Sequence, residues 1–143
     1  MSTDRSAATS AAEAREPIVS AVRTSLGDAV RSVIYFTPSR FDVLYVRKDL
    51  YGSPDEVEEA KSQLVEFERV GFAEGPIRTA IAQRAGGSDI GPYEFTIRVH
   101  DRGFVVRVIV DDAGVLFTAD TMDIAAFEDA AAAIVRLLHE PSD

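Results

Sequence analysis

The stretch Tyr93–Ala119, YEFTIRVHDRGFVVRVIVDDAGVLFTA, constrains the fold of this chain more than any other. Tyr93, Phe95, Ile97 and Val99 alternate with Glu94, Thr96, Arg98 and His100, the two-residue period of a strand with one buried face. Phe104, Val106, Val108 and Val110 repeat the pattern against Val105, Arg107, Ile109 and Asp111. Pairing Val99 with Phe104 across Asp101-Arg102 keeps both apolar rows on one face and sets Thr96 opposite Arg107. A one-residue slip would turn a row into water, so the register is well specified. The DDAG turn then brings Val115 opposite Val110 and Phe117 opposite Val108. Three consecutive antiparallel strands follow.

Upstream, RSVIYFTPSRFDVLYVRKDL reads as two strands around a Pro-Ser turn. Both faces of this hairpin are apolar, with Ile34, Phe36, Phe41 and Val43 on one and Val33, Tyr35, Leu44 and Val46 on the other. Such a strand is covered on both sides or keeps one side for a partner. Helices flank the strands. Pro17 reads as the first residue of one, with Ile18, Val22 and Leu26 on its inner face and Gly27 as its C-terminal cap. Ser53-Pro54-Asp55-Glu56 opens another, with a predicted buried stripe of Val57, Ala60, Leu64 and Phe67 and a wet face of Glu56, Glu58, Glu59 and Glu66. Asp123 caps a third that turns Ile124, Phe127, Ala131, Ile134 and Leu138 inward. Residues 75–91 carry glycines and prolines at their ends and read as a mobile loop holding one or two helical turns.

The resulting order, α-ββ-α-βββ-α, predicts an α+β domain built on a five-stranded antiparallel sheet with packed helices. Profilin-like, roadblock, GAF and PAS folds share this topology, with the first strand central beside the last. The domain is expected over residues 16–140, after a Ser/Thr/Ala-rich disordered leader over residues 1–15. The pieces VIYF, LYVRKDLY, FERVGF, YEFTIRVHDRGFVVRVIV and GVLFT resemble an uncharacterised family of small haloarchaeal proteins over residues 20–138 or so. That resemblance implies a salt-rich habitat and this fold, and it carries no catalytic residues.

Composition narrows the chemistry. The chain has no cysteine and only two histidines among its 143 residues, which excludes disulfide frameworks, thiolate zinc sites and cysteine nucleophiles. No metal site or cofactor is expected. Nor does any apolar run approach the roughly 20 residues that span a bilayer, so a cytoplasmic protein is the default. Acidic residues number 24 against 15 basic ones, for a net charge of −9, and only Lys48 and Lys61 are lysines. A surface so hydrated and anionic repels itself unless salt screens it, and it fits a halophilic proteome.

No constellation of reactive groups stands out, and no catalytic residue is assigned. His100-Asp101 has the ingredients of a general base but lies at a hairpin end, where neighbouring side chains diverge. Arg40, Arg47 and Lys48 form a basic cluster, but Asp42 and Asp49 beside them make a poor phosphate track and argue against nucleic acid. Asp111-Asp112 lacks the ligand spacing of a calcium loop. Arg98 and Arg107, with His100, share the less apolar face of the meander. They either hold a carboxylate or phosphate ligand or pair with helix carboxylates such as Glu128 or Asp129. The reading that results is a non-enzymatic regulatory or adaptor module acting through protein contacts. Its alternatives are a GAF- or PAS-like sensor of an anion or metabolite and a transcription-associated protein. A homodimer is expected, through an open face contributed by Val33, Tyr35, Leu44 and Val46 with Val105 and Ile109.

Overall fold

A computed structural model describes residues 3–139, with side chains from Arg15 onward. Helix α1 (Thr3–Leu26) and a 3-10 turn at Gly27–Ala29 lead into strands β1 (Val30–Phe36) and β2 (Phe41–Val46). Helices α2 (Pro54–Glu68) and α3 (Val70–Gln83) come next, then β3 (Thr96–His100), β4 (Gly103–Val110), β5 (Ala113–Ala119) and α4 (Ile124–His139). All strand pairs are antiparallel and the sheet order is β2-β1-β5-β4-β3. The chain is therefore α+β with β1 inside the sheet beside β5, as its two apolar faces predict.

Each sheet face carries its own core. Val33, Val106, Val108, Val115 and Phe117 pack with Ile18 and Val22 of α1 and Phe127 and Ile134 of α4. On the opposite face Ile34, Phe36, Val105 and Leu116 pack with Val65 of α2 and with Phe72 of α3. The predicted hairpin faces hold for Val33, Tyr35, Leu44, Ile34, Phe36, Phe41 and Val43, but a β-bulge between Val33 and Ile34 turns Tyr45 to the Val33 face and sets Val46 opposite Ser32 on the other. The assignment of the faces to the meander is reversed. Val33, Tyr35 and Leu44 join the Val106 row, whereas Val105 and Ile109 join Ile34 and Phe36. Helix α1 crosses over Val33 and Leu44, so these side chains are buried within one chain.

Several boundaries differ from expectation for identifiable reasons. Pro17 is exposed inside α1 instead of opening it, since the helix runs from Thr3. The leader expected over residues 1–15 involves Met1, Ser2 and side chains before Arg15, which lie outside the described residues, as does the helix stop expected at Pro141. The β4–β5 turn is tighter than DDAG. Asp111 takes a left-handed φ of 55°, tolerable for aspartate, and Val110 pairs with Ala113. Val108 thus faces Val115 and Val106 faces Phe117, a shift of two residues that keeps every side chain on its predicted face. The β3–β4 register is as expected, with Val99 opposite Phe104 and Thr96 opposite Arg107. Strand β3 begins only at Thr96, and Tyr93 lies before it.

Helix α2 starts as its sequence dictates. The Ser53 hydroxyl accepts from the Glu56 N–H at 3.3 Å, and the Glu56 carboxylate accepts from the Gly52 N–H at 2.9 Å. Its buried side, however, is Lys61, Val65 and Glu68, about one residue round from the predicted stripe, so that Phe67 is 62% exposed. Asp123 caps α4 by accepting from the Ala126 N–H at 3.1 Å, while Ile124, expected inside, is exposed. Residues 75–91 are not chiefly loop: α3 carries the helix to Gln83 despite Pro76.

A buried arginine–carboxylate cluster under an inverted helix

Arg107 projects from the middle of β4 into the layer between the sheet and helices α2 and α3, where it is 2% exposed. Strand alternation puts it on that face beside Val105 and Ile109, and Arg98 of the neighbouring strand lies on the same side. Two helix carboxylates meet these guanidiniums. Glu68, fully buried at the last turn of α2, accepts from Arg98 Nε at 2.6 Å and from Arg107 Nη1 at 3.3 Å. Glu74 of α3 accepts from Arg107 Nη2 at 2.7 Å and from Arg78 Nη1 at 2.9 Å. Thr96 Oγ1 accepts a further bond from Arg107 Nη2 at 3.1 Å and shares a hydrogen bond with the Tyr93 hydroxyl.

Five charges thus alternate along one chain of contacts, Arg98–Glu68–Arg107–Glu74–Arg78. Aromatic faces extend it at both ends, with Arg98 over Phe67 and Arg78 over Tyr93. Burial works to lower the Arg107 pKa, but adjoining Tyr93, Glu74 and Glu68 outweigh it and hold the guanidinium above its ordinary value. Arg107 Nε alone among the buried side-chain polar atoms described has no hydrogen-bond partner. It lies against the backbone of Gly71, where a Cβ would come within 2.7 Å of Arg107 Cζ and closer still to Ile109 Cδ1. Only glycine lets α3 approach this closely.

These contacts decide what the sequence left open about Arg98 and Arg107. Both pair with helix carboxylates, although with Glu68 and Glu74, not Glu128 or Asp129. Glu68, Glu74 and Gly71 fill the space over Arg107 where a small anion was considered. His100 lies at the exposed end of β3, outside the cluster. Val33 and Leu44 are buried beneath α1, with Tyr35 and Val46 partly buried. Among the described residues no group of three or more His, Asp or Glu side chains is placed to hold a metal ion. Arg47 of the basic cluster is neutralised at the far end of the sheet, bonding Asp120 at 2.5 Å and Asp49 at 2.7 Å, while Arg31 reaches the same Asp120.

The inward side of α3 carries charge among its core contacts: Phe72 packs on Phe36, but Glu74 and Arg78 point into the cluster and Gly71 packs on it. Its outward side is apolar, with Val70 and Ile77 at 50% and 63% exposure, and Ala73, Ala80 and Ile81 exposed between and after them. A surface helix normally shows the reverse. Beyond it, Ile90 is exposed on the far wall of a cleft of about 730 Å³ that also includes Ile81, Gly87 and Tyr93. The sequence does carry a signal for the cluster: Glu68 and Glu74 offer carboxylates to match Arg98 and Arg107, at positions 3 residues past Val65 and 3 past Gly71.

Over residues 16–139 the sequence matches a family described as a domain of unknown function, DUF7522. The chain belongs to that family. A comparison with curated proteins yields no match. The matched span covers every strand and all the residues of the charged cluster. No helix among the described residues is long and apolar enough to cross a membrane.

Proposed function

We propose that this protein is a non-enzymatic regulatory or adaptor module that works through protein contacts, and that the outer side of α3 is its contact surface. The observation that carries the reading is the inverted polarity of that helix, with Val70 and Ile77 in water and Glu74 and Arg78 turned inward. Water-facing apolar side chains in a contiguous strip usually mark an interaction site. The buried cluster supplies the complementary half of the device: it fixes α3 on the sheet through ion pairs, leaving its apolar side chains for a partner.

A sensor of small anions has less support, because the guanidiniums that would bind one already hold carboxylates. The acidic balance, −9 overall with two lysines, favours work in a salt-rich cytoplasm. Ile77→Asp tests the reading. Tagged wild-type protein is expected to retain binding proteins, its own copies or others, from an extract of its source cells in molar KCl. The variant is expected to lose them while unfolding at the wild-type temperature. Equal retention by the two would overturn the proposal.

A further inference from the structure

The strip on α3 is built to fit itself. Resting on the reading of α3 as the contact surface, we infer that its partner is a second copy of this chain, packed antiparallel about a two-fold axis between Ala73 and Ile77. Val70, Ala73, Ile77 and Ala80 recur at three- and four-residue steps, the spacing of a two-helix seam, and large alternates with small. Reversing one copy sets Val70 against Ala80 of the other and Ala73 against Ile77, so each bulky side chain meets a small one in every layer. A parallel arrangement would stack large on large.

Electrostatics favours the same direction. No residue of the strip is charged, so two copies of an acidic protein meet there without adding like charges. Glu66, before α3, is already paired with Arg69 at 2.7 Å, so the start of the helix presents a neutral pair. The helix macrodipoles favour the antiparallel pair.

The area is sufficient for a modest dimer. A 14-residue helix is about 21 Å long. With the flanking Phe67 and Ile90, the strip offers roughly 500 Å² from each copy, about 1,000 Å² in total, near the lower limit of specific interfaces. Exposed Pro76 sits beside the two-fold point, where it lacks a backbone N–H and adds a further apolar group to the centre of the contact.

Light scattering of the purified full chain in 2 M KCl tests the pairing. Wild type is expected to rise from the monomer mass of 15.5 kDa toward twice that value as its concentration increases through tens of micromolar. Ile77→Asp is expected to stay monomeric throughout, with the wild-type unfolding midpoint at concentrations where both are monomers. Val99→Asp, at an exposed position on the edge strand β3, is expected to dimerise like wild type. The register has a separate test, because the chain contains no cysteine. Mixing Ala73→Cys with Ile77→Cys should give a disulfide-linked pair at least fivefold faster than either variant alone. A wild type monomeric up to 100 micromolar overturns the self-pairing, as does a dimer broken by Val99→Asp and not by Ile77→Asp. Faster linkage within either single variant overturns the antiparallel register. A monomeric protein whose Ile77 is still needed to retain a different partner would remove the second copy and leave the contact surface standing.

Discussion

At the scale of single residues, the cluster around Arg107 shows how strongly a buried ion pair depends on both partners. Removing the Glu68 carboxylate leaves Arg107, only 2% exposed, short of a counter-charge, and also releases Arg98. Glu68→Ala is expected to cost about 3–5 kcal/mol, measured by urea unfolding. The double change Glu68→Leu with Arg107→Met removes both charges together and is expected to cost much less than the sum of the two single changes. Additive losses would show that the pair does not interact. Asp120 gives a smaller effect with a definite pH dependence. Bonds from Arg47 first, and then Arg31, hold its carboxyl below the ordinary aspartate value. A depressed folded value means that the stabilisation is complete above the ordinary carboxylate range and is lost as pH falls through the depressed value. Asp120→Asn is therefore expected to lower stability at neutral pH by about 1 kcal/mol or less, since the pairs are partly exposed. Its midpoint should also decline less than that of wild type as pH falls below the ordinary carboxylate range.

At the scale of elements, α3 separates two glycines that the sequence alone makes look alike. Gly71 has no room for a Cβ, whereas nothing lies within 4 Å of a Cβ at Gly75. Gly71→Ala is expected to destabilise by about 1–3 kcal/mol through a forced shift of Arg107 and Ile109. Gly75→Ala is expected to stabilise by about 0.5–1 kcal/mol, because alanine loses less backbone entropy in a helix. Thermal unfolding of the two variants gives shifts of opposite sign. Strands were more legible than helices for a physical reason. Alternation in β3 and β4 depends only on the pleat, and the faces of Val99, Phe104, Thr96 and Arg107 emerged directly. Helix α2, by contrast, buries Lys61 and Glu68, so a search for apolar residues alone rotates its face and places Phe67 inside. Helix α3 is obscured by Gly71, Gly75 and Pro76 in its first half, residues that ordinarily end helices, although here Gly71 serves close approach to Arg107.

At the scale of the whole molecule, the two-faced sheet accounts for both apolar faces of the first hairpin. Helix α1 covers Val33 and Leu44 within the chain, and among the elements described α3 holds the largest number of exposed large apolar side chains, Val70, Ile77 and Ile81. That arrangement could not be read from sequence, because it requires knowing which helices lie on which side of the sheet. The net charge of −9 has consequences at this scale too. Acidic residues of α2 such as Asp55, Glu56, Glu58 and Glu59 crowd its exposed first turns. Salt that screens their repulsion is expected to raise the thermal midpoint between low and molar KCl, and a flat or falling midpoint would contradict this. The most direct measurement of the central claim, that α3 turns its apolar side to water, is maleimide labelling of single-cysteine variants in dilute protein. The Ile77→Cys variant is predicted to react as fast as Lys48→Cys, at an exposed position, and at least a hundredfold faster than Val65→Cys, at a fully buried one. An Ile77→Cys variant that reacts as slowly as Val65→Cys would mean that the outward face of α3 is covered within the chain, and the inverted helix would be refuted.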